Sequence, residues 1–134
     1  RIEDGYRELK KGKKVCLITT GFTTHMAIRA ADTLKKDIGV IDVFLLKPFN
    51  SDSFSKILKK YESVVTIEEG FIHKGGLDSL IRSTIDNEAI KINFKAIGFQ
   101  DSYVFDIGSR DYLHKLYGLD EVGIVKTVNN LLKR

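Results

Sequence analysis

Along the chain, short unbroken apolar runs alternate with stretches whose apolar residues recur three and four positions apart. The clearest instance is Lys14 to Leu34, KVCLITTGFTTHMAIRAADTL. Val15 to Thr20 is apolar and rich in β-branched residues, so it reads as a buried strand. Gly21 breaks the run and allows a tight turn. Thr23 or Thr24 can cap a helix, and Met26, Ala27, Ala30, Ala31 and Leu34 follow at helical spacing. Strand, glycine turn, helix is the opening unit of an α/β sheet, and the remaining sequence repeats it.

Upstream, Tyr6 to Leu9 followed by KKGKK predicts a short strand that turns at Lys11-Gly12 into the first long strand. The two should therefore pair antiparallel. The first helix is expected to end near Asp37, with Gly39 placed to terminate it. Val40 to Leu46 is apolar except for Asp42, as expected of a parallel strand covered on both faces, and Pro48 ends it. Ser51, Asp52 and Ser53 offer N-caps to a helix carrying Phe54, Ile57, Leu58 and Tyr61 at i, i+3, i+4 and i+7. Ser63 to Glu68 is the third strand of the parallel set. The loop EGFIHKGG then leads into a helix with Leu77, Leu80, Ile81 and Ile85 on one face.

Ile92 to Phe99 reads as a further strand and Gln100 to Gly108 as a loop. Ser109 is placed to cap a helix over 110–117 that Gly118 stops. Asp120 starts a last helix bearing Val122, Val125, Val128 and Leu132. No repeat or linker interrupts this order, so residues 1–134 read as one domain. Alternating strands and helices imply right-handed crossovers and a three-layer α/β/α sandwich, its sheet made mixed by the first short strand.

Composition narrows the class without naming a chemistry. At 134 residues with 43% hydrophobic and 30% charged positions the chain is long enough for a proper core. No apolar run approaches the length of a bilayer crossing and no signal-peptide pattern appears, so no membrane association is expected. Cys16, the only cysteine, lies inside the first apolar strand and reads as a small buried hydrophobe. A reducing, cytoplasmic setting is the matching expectation. The net charge of +4 collects at Lys10, Lys11, Lys13 and Lys14 without a recognised motif or aromatic platform, so no nucleic-acid partner is expected. The chain begins at Arg1, which sets the expectation of a fragment of a longer polypeptide.

In sheets of this kind ligands gather at the carboxyl ends of the strands, and four loops there carry the candidate chemistry. In GFTTH, Gly21 stands alone, with neither GxGxxG nor GxxxxGK[ST] around it, so dinucleotide and P-loop readings fail. Thr23 and Thr24 could hold an anion at a helix start or simply cap it. His25, His73 and His114 lack the short spacing to cysteines or carboxylates that zinc needs. Of the three, His25 is the most suggestive, with packing or a hydrogen bond set against proton transfer. Glu68 and Glu69 point in opposite directions along a strand and do not easily share one substrate, so one should partner a backbone or a basic residue at an interface. Gly75 and Gly76 should let the third helix begin close against a neighbouring segment. Ser109 has no GxSxG around it and reads as a cap. Lys47-Pro48-Phe49 is similar to a receiver-domain motif, but it follows the wrong strand and no phospho-accepting aspartate accompanies it.

Taken in order, TTGFTTHMAIRAADTL, the EEG at 68–70, the GG at 75–76 and the GSR, YGL and GI within GSRDYLHKLYGLDEVGIVKTV resemble the C-terminal domain of transketolase-like thiamine diphosphate enzymes. That group includes transketolase, 1-deoxy-D-xylulose-5-phosphate synthase and 2-oxoacid dehydrogenase beta subunits. The resemblance spans about Lys14 to Leu132. It departs where relatives often carry an acidic residue between the Gly21 and His25 positions, here Phe22, Thr23 and Thr24. The resemblance implies a mixed five-stranded sheet with one antiparallel strand. It also implies an assembly role within an enzyme of two-carbon ketol or acyl transfer.

By the same resemblance, thiamine diphosphate and Mg2+ belong to N-terminal and middle domains, on the same chain or a partner subunit. This domain binds neither, has no catalytic residue, is inactive alone, and supports a homodimer of the full enzyme. Phe22, Thr23, Thr24, His25, Phe49, Glu69, Phe71 and His73, at the strand ends, are the candidate interface or ligand residues. A separately encoded subunit of a split enzyme, or a stand-alone anion-binding module built on Thr23, Thr24 and His25, are the alternatives.

Overall fold

The computed structural model describes residues 4–34, 37–44, 49–71, 76–99 and 121–133. The expected elements appear in the expected order. Strand β1 (Tyr6–Lys10) and strand β2 (Val15–Thr19) lead through a single 3-10 turn (Gly21–Thr23) into helix α1 (Thr24–Leu34). Strand β3 (Ile38–Val43), helix α2 (Ser51–Leu58), strand β4 (Ser63–Phe71), helix α3 (Leu77–Asn87) and strand β5 (Asn93–Phe99) follow, and helix α4 (Glu121–Leu132) closes the described chain. Every residue of β2 is buried, as the unbroken apolar run requires of a strand covered on both faces. The loop expected at 100–108 and the helix at 110–117 lie outside the described residues.

The sheet has five strands in the order β1-β3-β2-β4-β5, and only β1 with β3 is antiparallel. Strand β2 is central, pairing Leu17 with Val40 of β3 on one side and with Val65 of β4 on the other. The mixed sheet is as anticipated, but the hairpin is not: β1 pairs with β3, and β2 is not its neighbour. The reason is visible in the crossing segment. The amides of Lys13, Lys14 and Val15 all donate to the carbonyl of Asp37 (3.3, 3.0 and 3.3 Å), so residues 12–15 pass over the start of β3. A Cβ on Gly12 would lie 2.7 Å from the backbone of Asp37 and Ile38. Gly12 thus permits a close crossing and makes no two-residue turn.

Side-chain alternation along the strands divides the core into two layers. Leu17, Val40, Val65 and Ile67 meet Ala27, Ala30 and Ala31 of α1 and Ile124, Val128 and Leu131 of α4. Cys16, Ile18, Ile41 and Val64 meet Phe54 and Leu58 of α2 and Leu77, Ile81 and Ile85 of α3. The result is the α/β/α sandwich. The small alanines of α1 let that helix sit close to the sheet, while Tyr6, Phe49 and Phe54 pack against one another on the opposite side with ring centroids 5.0–5.7 Å apart.

Three further expectations change in detail. Helix α2 is capped by Asn50, whose side chain accepts from the Ser53 amide, and not by Ser51, Asp52 or Ser53. Helix α1 ends at Leu34, and Gly39 sits inside β3 instead of terminating the helix. Helix α4 buries Ile124, Val128 and Leu131, whereas Val122 is 75% exposed. Val122 and Leu131 differ by nine positions, half a helical turn out of phase, so one stripe cannot bury both.

Candidate functional site

At the carboxyl ends of β2, β3 and β4 the polar side chains tie elements to one another. The Thr24 hydroxyl, at the first position of α1, donates to Asp42 Oδ1 of β3 (3.2 Å) and lies 2.9 Å from the Thr19 hydroxyl of β2. Thr19 reaches the Ile41 carbonyl at 3.4 Å. Thr23, fully buried, shares its hydroxyl proton between the carbonyls of Thr20 (3.1 Å) and Ile67 (3.0 Å). Neither threonine caps α1 through its side chain. Both hydroxyl protons are committed to internal acceptors. Asp42, the one polar residue in an apolar strand, was the sequence signal for this network.

The second cluster joins β4 to α3. Glu68 Oε1 accepts from the Asp78 amide (3.3 Å), and the Leu77 amide also donates to this carboxylate. Glu68 therefore serves as the anionic cap of α3, where the helix dipole favours negative charge. A Cβ on Gly76 would lie 2.8 Å from Glu68 Oε1, so the glycine makes room for the cap. Both expectations for this loop hold: a glutamate of the pair partners backbone, and Gly76 permits a close approach. Burial pushes the Glu68 pKa above the usual glutamate range, and the neighbouring Asp78 carboxyl adds to the rise. The two amide bonds oppose it without cancelling it.

His25 stands exposed in the first turn of α1. Phe49 packs between Tyr6 and Phe54, so at least one face of its ring is engaged within the domain. Phe22 lies in the 3-10 turn and Glu69 and Phe71 in β4, but their side chains fall outside the described set, as do His73, Gly75, Ser109 and His114 altogether.

The opposite end of the sheet carries a group that residue patterns did not foretell. Tyr61 Oη accepts the Gly12 amide (3.0 Å) and is hydrogen-bonded to the Cys16 thiol. A Cβ on Gly39 would sit 2.0 Å from that oxygen. Burial raises the pKa of both Cys16 and Tyr61, so both remain protonated at neutral pH. Cys16 is free and buried, which makes it an unreactive core thiol.

Among the described residues, no three His, Cys, Asp or Glu side chains lie together in a way that could hold a metal ion. Glu68 and Asp42 are both engaged in internal bonds. The arrangement defines a mixed-sheet α/β/α domain whose strand-end polar groups serve its own architecture. It belongs, by sequence, to the family described as Transketolase, C-terminal domain, which matches residues 5–124.

Relatives agree with this membership. The chain is 31% identical over 122 residues to 1-deoxy-D-xylulose-5-phosphate synthase of Clostridium tetani, covering 89% of this chain and 19% of that protein. The Bacteroides fragilis synthase is 32% identical over 126 residues, covering 91% and 19%. The chain thus spans about a fifth of the length of the curated relatives it matches. Among solved structures, a split-gene transketolase in an inactive beta4 tetramer superposes with a TM-score of 0.87 at 30% identity, over 99% of this chain and 44% of that one. Transketolase from Leishmania mexicana superposes at 0.73 with 17% identity, over 99% and 18%, and shows a shared fold.

Proposed function

We propose that this chain is the C-terminal, architectural domain of a transketolase-like thiamine diphosphate-dependent transferase, and that it is inactive alone. The observation that carries this reading is the superposition on the split-gene transketolase over 99% of the chain. In the complete enzyme, thiamine diphosphate and Mg2+ are held by N-terminal and middle domains, and the cofactor supplies the electron sink for moving a two-carbon ketol or acyl unit. This domain's share is to pack against those domains and support a homodimer. A cytoplasmic setting fits the free, buried Cys16.

The contact surface in this proposal is the carboxyl end of the sheet, with Phe22, Thr23, Thr24, His25, Phe49, Glu69, Phe71 and His73 as its candidate residues. Thr23 and Thr24 act there by holding the turn in shape, and the aromatic residues by burying area against the partner domain. Likeness to a split-gene transketolase favours a second form of the same reading, in which the thiamine-binding part is a separate chain.

The intact mass of the polypeptide in its source cells separates the two forms. A species about five times 15.2 kDa, the proportion of the continuous relatives, means one continuous enzyme, and a species of about twice that mass or less, the proportion of the split-gene chain, means a split subunit. Function is tested by assaying thiamine diphosphate-dependent ketol transfer with this chain alone, with the thiamine-binding part alone, and with both. Activity only in the combined sample is expected. Turnover by this chain alone overturns the proposal. Phe22→Asp and Phe71→Asp should weaken assembly and activity together, and intact assembly in both variants would sink the contact assignment.

A further inference from the structure

The edge of the sheet away from β1 holds a feature the assembly role does not use. Strand β5 is the last strand in the sheet order, paired only with β4. Between it and α4 lies a hollow of about 270 Å³ lined by Lys95, Lys126, Thr127 and Asn130, with Phe94 and Leu131 beside them. Its composition follows from two periodicities. Lys95 is two positions from Ile97, which packs in the α1/α4 layer, so Lys95 points to the same face of the sheet. Lys126 and Asn130 are four apart on α4 and share one stripe, flanking the buried Ile124, Val128 and Leu131.

The charge in this hollow has one sign. Among the described residues, two lysines from separate elements line it and no Asp or Glu does. Neither lysine makes an ion pair or hydrogen bond among the described residues, although Lys10 pairs with Asp32 elsewhere. The Asn130 amide is likewise without a described partner, whereas the Thr127 hydroxyl donates back to the Gly123 carbonyl and offers only its lone pairs. Two lysines and an amide beside one concave space supply the donors that a ligand carrying two negative charges needs, and its charge would offset theirs. Another hollow, 330 Å³ between α2 and α3, is lined by Glu88 and, among the described residues, by no cation.

We propose that the β5–α4 hollow binds a small dianionic oxyanion of the phosphate class, held by Lys95 and Lys126 and oriented by Asn130. This site sits on a different face from the contact surface assigned above and is independent of it.

The test is a titration of the 134-residue chain with inorganic phosphate at slightly alkaline pH, followed by amide NMR, with ionic strength held constant by sodium chloride. Saturable shifts confined to residues 94–95 and 126–131 are expected. Lys126→Ala should weaken binding about tenfold, the loss typical of one charge-assisted bond, and Lys95→Ala with Lys126→Ala together should abolish it. Lys11→Ala with Lys13→Ala, on the crossing segment, should change nothing. All four lysines are surface residues, so the variants keep their fold. Shifts that fail to saturate, that spread over every lysine-rich segment, or that survive in the Lys95/Lys126 double variant overturn the proposal.

Discussion

The two ends of the central sheet solve the same problem with different groups. At the amino end, where β2 and β3 begin, one neutral phenol does the joining: Tyr61 Oη accepts the Gly12 amide and donates to the Cys16 sulfur over the bare Cα of Gly39. At the carboxyl end, hydroxyls and a carboxylate do it: Thr23, Thr24 and Asp42 tie α1 to β3 and β4, and Glu68 caps α3. The amino-end junction of Cys16, Gly39 and Tyr61 is buried and closely fitted. The carboxyl end keeps an ionisable group half in solvent. Stability should respond to shape at one end and to hydrogen bonding and pH at the other.

The largest effect is expected at the amino end. Gly39→Ala places a methyl 2.0 Å from Tyr61 Oη and 2.8 Å from Cζ, inside a strand held on both sides by partners. Overpacking of this kind should cost about 3 kcal/mol, read from urea unfolding. Combining it with Tyr61→Phe removes the nearest clash, so the double variant should be less destabilised than the two single losses added together. Simple additivity would show that Tyr61 does not set the fit at Gly39.

Next is Thr23→Val, which keeps the buried shape but leaves the Ile67 and Thr20 carbonyls without their donor. A loss of about 1–2 kcal/mol is expected, with no change in the pH dependence of stability. Glu68→Gln sharpens the contrast by titration. The folded-state pKa of Glu68 lies above the unfolded one, so the folded protein holds more protons across that window and stability falls as pH rises through it. Glutamine keeps an oxygen for the Leu77 and Asp78 amides and cannot ionise. Its advantage over the wild type should therefore grow from the usual glutamate pKa upward and level off once Glu68 is fully ionised. An advantage that shrinks across that range would mean that the helix-capping bonds outweigh burial.

The smallest effect belongs to neither end. Val122→Ser, at a position 75% exposed on α4, should change stability by less than about 0.5 kcal/mol. A larger loss would indicate that Val122 is covered by something beyond the described residues.

Much of this architecture was legible from residues alone because it rests on local physics. An apolar β-branched run, a glycine and an amphipathic stretch are each readable within a dozen positions, and they yielded nine elements of the right type in the right order, from β1 to α4. The motif order from Gly21 to Ile124 was enough to indicate the family. Gly76 and the backbone-partnered glutamate were also readable, since a glycine pair before a helix and an acid beside it have few other uses.

What only the tertiary structure decided is which distant segments meet. Whether β1 lies beside β2 or β3 depends on how residues 12–15 cross Asp37, a contact between pieces more than twenty positions apart. Gly12 and Gly39 looked like punctuation, a turn and a helix stop, because a missing side chain reads the same whether it frees the backbone or clears space for Tyr61. The stripe of α4 was misjudged at Val122 because several valines fit more than one phase of a helix, and only the sheet beneath selects among them. The lysines of the β5–α4 hollow, thirty-one positions apart, converge for the same reason: local periodicity sets the face of each element, and packing alone sets what that face meets.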